Sequence, residues 1–118
     1  MKYMLLIHQG STPLPGTDAW NNLSQEEQGK VYAAYGALNQ TPGFTPGERM
    51  SGPETATTVR VQDGRTLTTD GPFVEIKEAI GGFMFLEADD IDAAIELAAK
   101  VPAARLGGAV EVRPVVER

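Results

Sequence analysis

Thr69-Asp70-Gly71-Pro72-Phe73-Val74-Glu75-Ile76-Lys77-Glu78-Ala79-Ile80-Gly81-Gly82-Phe83 is the stretch on which the fold turns. Asp70, Gly71 and Pro72 form a turn signal, the charged side chains of Glu75, Lys77 and Glu78 follow, and the pair Gly81-Gly82 leads into an apolar run. Upstream, Thr55 to Gln62 is rich in β-branched residues, with Thr57, Val59 and Val61 alternating against Thr58, Arg60 and Gln62. Asp63-Gly64 is a two-residue hairpin turn, and Arg65 to Thr69 returns antiparallel. Downstream, Ile80 to Glu87 is apolar on both faces through Phe83, Met84, Phe85 and Leu86, so it reads as a buried strand. The quoted stretch therefore connects a hairpin to a core strand.

Working outward, Tyr3 to His8 reads as a central strand, with Tyr3, Leu5 and Ile7 on one face and Met4, Leu6 and His8 on the other. Gly10 to Asp18 holds two prolines and two glycines and is a loop long enough to act as a flap. Ser24 followed by Glu27 is a capping-box pattern, and Val31, Ala34, Tyr35 and Leu38 recur on one helical face, which predicts a helix from about Ser24 to about Asn39. After the breakers Pro42, Gly43, Pro46 and Gly47, a kinked edge strand is expected at Arg49 or Met50, halted by Gly52 and Pro53. Asp89 or Asp90 caps a second helix in which Ile91, Ala94, Ile95 and Ala98 repeat until Pro102. Ala109 to Pro114 is the last strand.

Strand, helix, hairpin, strand, helix, strand is an α+β order, the split βαβ arrangement of a ferredoxin-like subunit with an added hairpin. Helices cover one face of an antiparallel sheet. The other face carries Met4, Leu6 and either Phe83 and Phe85 or Met84 and Leu86, too apolar to be wetted, so pairing with a second copy as a homodimer is expected.

With 118 residues, 42% of them hydrophobic, the chain has material for one core, so residues 1–118 are read as one domain. There is no cysteine, which fits a reducing compartment and a cytoplasmic location. The first apolar run is too short for a membrane span or a secretory signal, so no membrane association or processing is expected. Sixteen acidic against ten basic residues give a net charge of −6, and the cations are scattered, which argues against nucleic-acid binding. No nucleotide-binding glycine pattern, activated serine or metal-ligand spacing occurs, so no cofactor and no metal are expected.

Asp70-Gly71-Pro72-Phe73-Val74-Glu75-Ile76-Lys77-Glu78 resembles the signature of the DGPF family, a branch of the YCII-related proteins, usually written DGPFAETKE, from which Val74 and Ile76 depart. The similarity runs over nearly the whole chain, from the opening strand at Met1 to Ile7 to the closing one at Val110 to Pro114. What the resemblance implies is a ferredoxin-like subunit and a dimeric α+β barrel. The wider group resembles muconolactone isomerases and dehalogenases in fold, and some of its members have been proposed to use a His and Asp pair. The motif's acidic position falls on Asp70. The chain's one histidine, His8, lies outside the motif. Members of the branch are also often encoded beside alternative sigma factors, which implies a regulatory or stress setting.

Asp70 has two readings. Near Phe73 and Phe83 its carboxylate would be desolvated and suited to general acid or base work. As a turn residue it would instead accept backbone hydrogen bonds and hold the chain's exit from the hairpin. Glu75, Lys77 and Glu78 would present a charged rim to a polar ligand, or simply pair in solvent. Gly81 and Gly82 suit close approach of a ligand or a strand-entry bulge. His8 is placed to assist Asp70, and Arg60, Glu111 and Arg113 would meet it on the sheet face away from the helices. Trp20 would close over a pocket or pin the long loop. The expected function is small-molecule binding with acid–base chemistry near Asp70. The alternative is a non-catalytic regulatory or interaction module.

Overall fold

A computed structural model describes residues 1–72 and 80–117. The elements run β1 (Lys2–His8), α1 (Asp18–Asn21), α2 (Gln25–Asn39), β2 (Phe44–Thr45), β3 (Thr57–Gln62), β4 (Arg65–Asp70), β5 (Ile80–Glu87), α3 (Ile91–Ala98) and β6 (Ala109–Pro114). Short 3-10 turns occupy Pro53–Thr55 and Pro102–Ala104. The fold is α+β. β2, β5, β1 and β6 lie in that order in an antiparallel sheet, while β3 and β4 form a separate two-stranded sheet. The four-stranded sheet is open, and the chain alone closes no barrel.

Local chemistry accounts for the elements. Ser24 Oγ accepts from the Glu27 amide at 3.0 Å while Glu27 Oε1 accepts from the Ser24 amide at 3.2 Å, so the capping box starts α2 as read. Asp90 caps α3 by accepting from the Ala93 amide at 2.9 Å. In the hairpin turn, Asp63 (φ 50°) and Gly64 (φ 76°) both take the left-handed region that a two-residue turn of matching twist requires.

The core sits between the sheet and the helices. Tyr3, Leu5, Ile7, Met84 and Leu86 point into it and meet Leu38 of α2, Ala94 and Ala98 of α3, and Val101. The opposite sheet face carries Met4, Leu6, Phe83 and Phe85, all half-buried, so among the described residues β1 is fully covered on one side and partly on the other. Cross-strand pairing sets Met4 against Phe85 and Leu6 against Phe83, and the two Phe rings meet edge to face at 6.1 Å.

Three details differ from the sequence reading. The edge strand begins earlier, at Phe44–Thr45, because buried Phe44 anchors it against Leu86; the ladder lapses at Pro46-Gly47 and returns as a single bridge from Arg49 to Gly82. Thr55 belongs to the turn that precedes β3, not to the strand. In α3, Ile91 and Ile95 are exposed at 44% and 52%, while Ala94 and Ala98 face the sheet. A small-residue stripe lets that helix lie close on the core, and the two isoleucines fall at its margin.

The hairpin is wet on both faces, with Val59, Val61 and Leu67 exposed. The chain spans 52 × 42 × 18 Å with a radius of gyration of 16.3 Å, against about 13.5 Å for a compact domain of this length. Among the described residues no helix is long and apolar enough to cross a membrane.

Candidate functional site

On the helical side of the sheet, the loop after β1, α1, α2, the edge segment 46–49 and the start of β5 enclose a cavity of about 330 Å³. That volume lies at the small end of ligand pockets. Trp20 forms one wall. It is buried, its amide donates to Thr17 Oγ1 at 3.3 Å, and its carbonyl accepts from Gln28 Nε2 at 3.0 Å, so the ring is held in place rather than swinging with the loop. Tyr32 meets it edge to face, centroids 5.4 Å apart and planes at 77°. Tyr35, one turn along α2, continues the aromatic wall, and Ile7, Gly82 and Met84 supply the floor.

The floor has a gap. Gly82 pairs with Ile7 on one side and Arg49 on the other, so the three lie in one row across the sheet. A Cβ on Gly82 would approach the Glu48 carbonyl at 3.0 Å and the Ile7 side chain at 3.8 Å. Its absence leaves space between Ile7 and Arg49. The register slips beside it, with Ile7 opposite Gly82 but His8 opposite Ile80, so Gly81 is the extra residue of a bulge. The Gln9 side chain lies against Gly81 where a Cβ would otherwise be.

Two of the lining residues carry unusual polar atoms. Gln9 Oε1 and Thr12 Oγ1 are buried and have no hydrogen-bond partner. A buried polar atom left unpaired costs about 1–3 kcal/mol, so both would gain from a partner brought by a local shift of the loop. Their loop is held by backbone bonds, Ser11 donating to the Gly107 carbonyl at 3.2 Å and Thr12 to that of Gln9 at 2.9 Å. Burial pushes the Tyr35 hydroxyl above its ordinary value of 10.0, and the Arg49 guanidinium pulls against that shift.

The residues singled out from sequence lie elsewhere. His8 ends β1 on the open face, where Nε2 meets Glu111 Oε1 at 3.2 Å, and Glu111 Oε2 accepts from Arg113 Nε at 2.8 Å. Of the expected meeting of His8 with Arg60, Glu111 and Arg113, the structure shows the contact with Glu111, to which Arg113 is joined in turn, whereas Arg60 lies on β3 in the separate two-stranded sheet. Asp70 ends β4 and is exposed. The hairpin's exit is tied by the Gly71 amide donating to the Ala56 carbonyl and Thr58 Oγ1 donating to the Gly71 carbonyl, both at 2.7 Å. The bonds described there are therefore made by backbone and Thr58. Arg60 is exposed on β3. None of His8, Asp70 and Arg60 lines the cavity. Glu75, Lys77 and Glu78 lie outside the described residues.

Gln9, Thr12, Tyr35 and Arg49 escaped the sequence reading as site residues. The usable signal was weak: Gln9 and Thr12 begin the flap-like loop directly after a central strand, a common place for ligand contacts. Among the described residues, no three His, Cys, Asp or Glu side chains stand together as a metal-ligand set.

The family model described as the YCII-related domain matches residues 1–118. A similar protein, Uncharacterized protein R00369 of Rhizobium meliloti (strain 1021), is 32% identical over 104 residues, which cover 84% of this chain and 82% of that protein.

Proposed function

The chain belongs to the YCII-related domain family, and on that premise we propose that it is a one-domain, homodimeric binder of a small organic molecule, held in the helix-side cavity of each subunit. One observation carries the reading: an aromatic-walled space of about 330 Å³ whose lining includes Gln9 and Thr12, the residues that carry the unpartnered polar atoms Oε1 and Oγ1.

The subunit reading draws on the strand order. With the hairpin set aside as an insertion, β6-β1-β5-β2 is two split βαβ units interleaved, the ferredoxin-like order. The homodimer draws on the open sheet face, where Met4, Leu6, Phe83 and Phe85 make an apolar surface suited to an identical sheet laid across it. Two sheets so stacked would form an α+β barrel.

A second reading, proton transfer by His8 with Asp70, is favoured by the bond from His8 to Glu111, a carboxylate that would fix the ring. The two readings separate in one experiment. Melting points are measured with a panel of small metabolites on the parent, Gln9→Ala, Tyr35→Phe, His8→Ala and Asp70→Asn. A ligand that stabilises the parent, His8→Ala and Asp70→Asn, but loses its effect on Gln9→Ala and Tyr35→Phe, supports the cavity. Loss confined to His8→Ala and Asp70→Asn moves the site to the open face. A panel that shifts nothing replaces both readings with the non-catalytic interaction module.

A further inference from the structure

Resting on the cavity reading above, we infer that the occupant is a small aromatic monocarboxylate bearing a hydroxyl or amino group.

Each part of that description answers a feature of the walls. Trp20, Tyr32 and Tyr35 bring three aromatic side chains to a space of about 330 Å³, which suits a single flat ring rather than a chain or a sugar. The Trp20 and Tyr32 rings already stand edge to face, so a ring entering beside them finds both a face and an edge to pack on. Gln9 Oε1 is an acceptor only, so its missing partner is an O–H or N–H, and a ligand satisfies it with a hydroxyl or an amine. Thr12 Oγ1 can donate or accept and completes the same polar end.

The carboxylate is assigned by Arg49. Arg49 bridges to Gly82 in the row that forms the floor, at the gap the glycine leaves, and it makes no ion pair among the described residues. A guanidinium at the rim of an apolar cavity binds a planar carboxylate through paired N–H donors. Glu48 is the one carboxylate among the described lining residues. Arg49 is the lining cation, and its charge reaches the Tyr35 hydroxyl. Tyr35 remains protonated and available to donate to an anion bound between it and Arg49. In a chain of net charge −6, an anionic ligand needs such a local cation.

The chain has one tryptophan, and it is a wall of the cavity, so its fluorescence reports occupancy directly. Three probes are titrated: 4-hydroxybenzoate, its neutral isostere 4-hydroxybenzamide, and benzoate, which lacks the donor. The inference expects 4-hydroxybenzoate to change Trp20 emission saturably, and to bind about tenfold or more tightly than either of the other two. Arg49→Gln, at an exposed position, should erase the preference over the amide while sparing the melting point of the free protein, and Glu48→Gln should widen it. Equal binding of acid and amide, or a preference that survives Arg49→Gln, overturns the carboxylate while leaving the cavity reading intact. Absence of a saturable response to all three probes overturns the aromatic class. If the metabolite panel also shifts nothing, the cavity reading fails with it.

Discussion

At the scale of single residues, Tyr35 is where the cavity's electrostatics become measurable. Burial raises its pKa and Arg49 opposes the rise, with burial the larger effect. A raised folded-state value means that at pH above 10 the unfolded chain loses the phenolic proton while the folded chain keeps it. Stability is therefore undiminished below the ordinary value and falls as pH climbs through the folded one. Tyr35→Phe should remove that part of the alkaline loss, read as melting point against pH, and Arg49→Gln should shift the titration further upward. The cap at Ser24 makes a simpler prediction: Ser24→Ala should cost about 1 kcal/mol in a denaturant titration, since the Glu27 amide loses the Ser24 hydroxyl as its acceptor and the reciprocal bond is left without support. Ser24 and Glu27 were legible in the sequence because a cap is a local device, complete within four residues. Gln9 and Thr12 were not, because what distinguishes them is the absence of partners after a loop has folded against Gly107 and Gly81, which no spacing encodes. His8 with Glu111 and Arg113 lay between these cases: strand alternation placed them on one face, and only the register brought the atoms together.

At the scale of elements, periodicity located every main strand and both long helices, but it did not say how each was turned. α3 illustrates the gap. Ile91, Ala94, Ile95 and Ala98 share helical spacing, and hydrophobicity alone would bury the isoleucines. The structure buries the alanines, which join Leu5, Leu86 and Val101 in one close-packed core cluster. Two substitutions test this orientation. Ala94→Leu should destabilise by about 1–3 kcal/mol through overpacking, whereas Ile95→Gln should stay within about 0.5 kcal/mol as an exposed change. Denaturant midpoints compared at constant slope discriminate the two, and a reversed order would mean that the helix is rotated. The edge strand shows the opposite failure. Its pairing with β5 is split by Pro46, so its two halves fall outside any window long enough to show alternation.

For the whole molecule, the decisive feature is the partly covered sheet face. The proposed dimer would bury Met4, Leu6, Phe83 and Phe85, and Phe85→Glu would place a charge at its centre, beside the Lys2 ammonium that now sits 4.7 Å from the ring centroid. Light scattering behind size-exclusion chromatography should give a dimer for the parent and a folded monomer for Phe85→Glu, with helix content unchanged. A parent that elutes as a monomer at micromolar concentration would remove the stacked-sheet arrangement. The 18 Å thickness of the chain carries a consequence of its own. A sheet with helices on one side is two layers deep, so the outer face of β1 and β5 keeps only partial cover, which the proposed second chain would complete. In the proposed dimer, stability would be partly second order. Its melting temperature should climb as the protein is concentrated, and dilution alone should act on it as a mild denaturant.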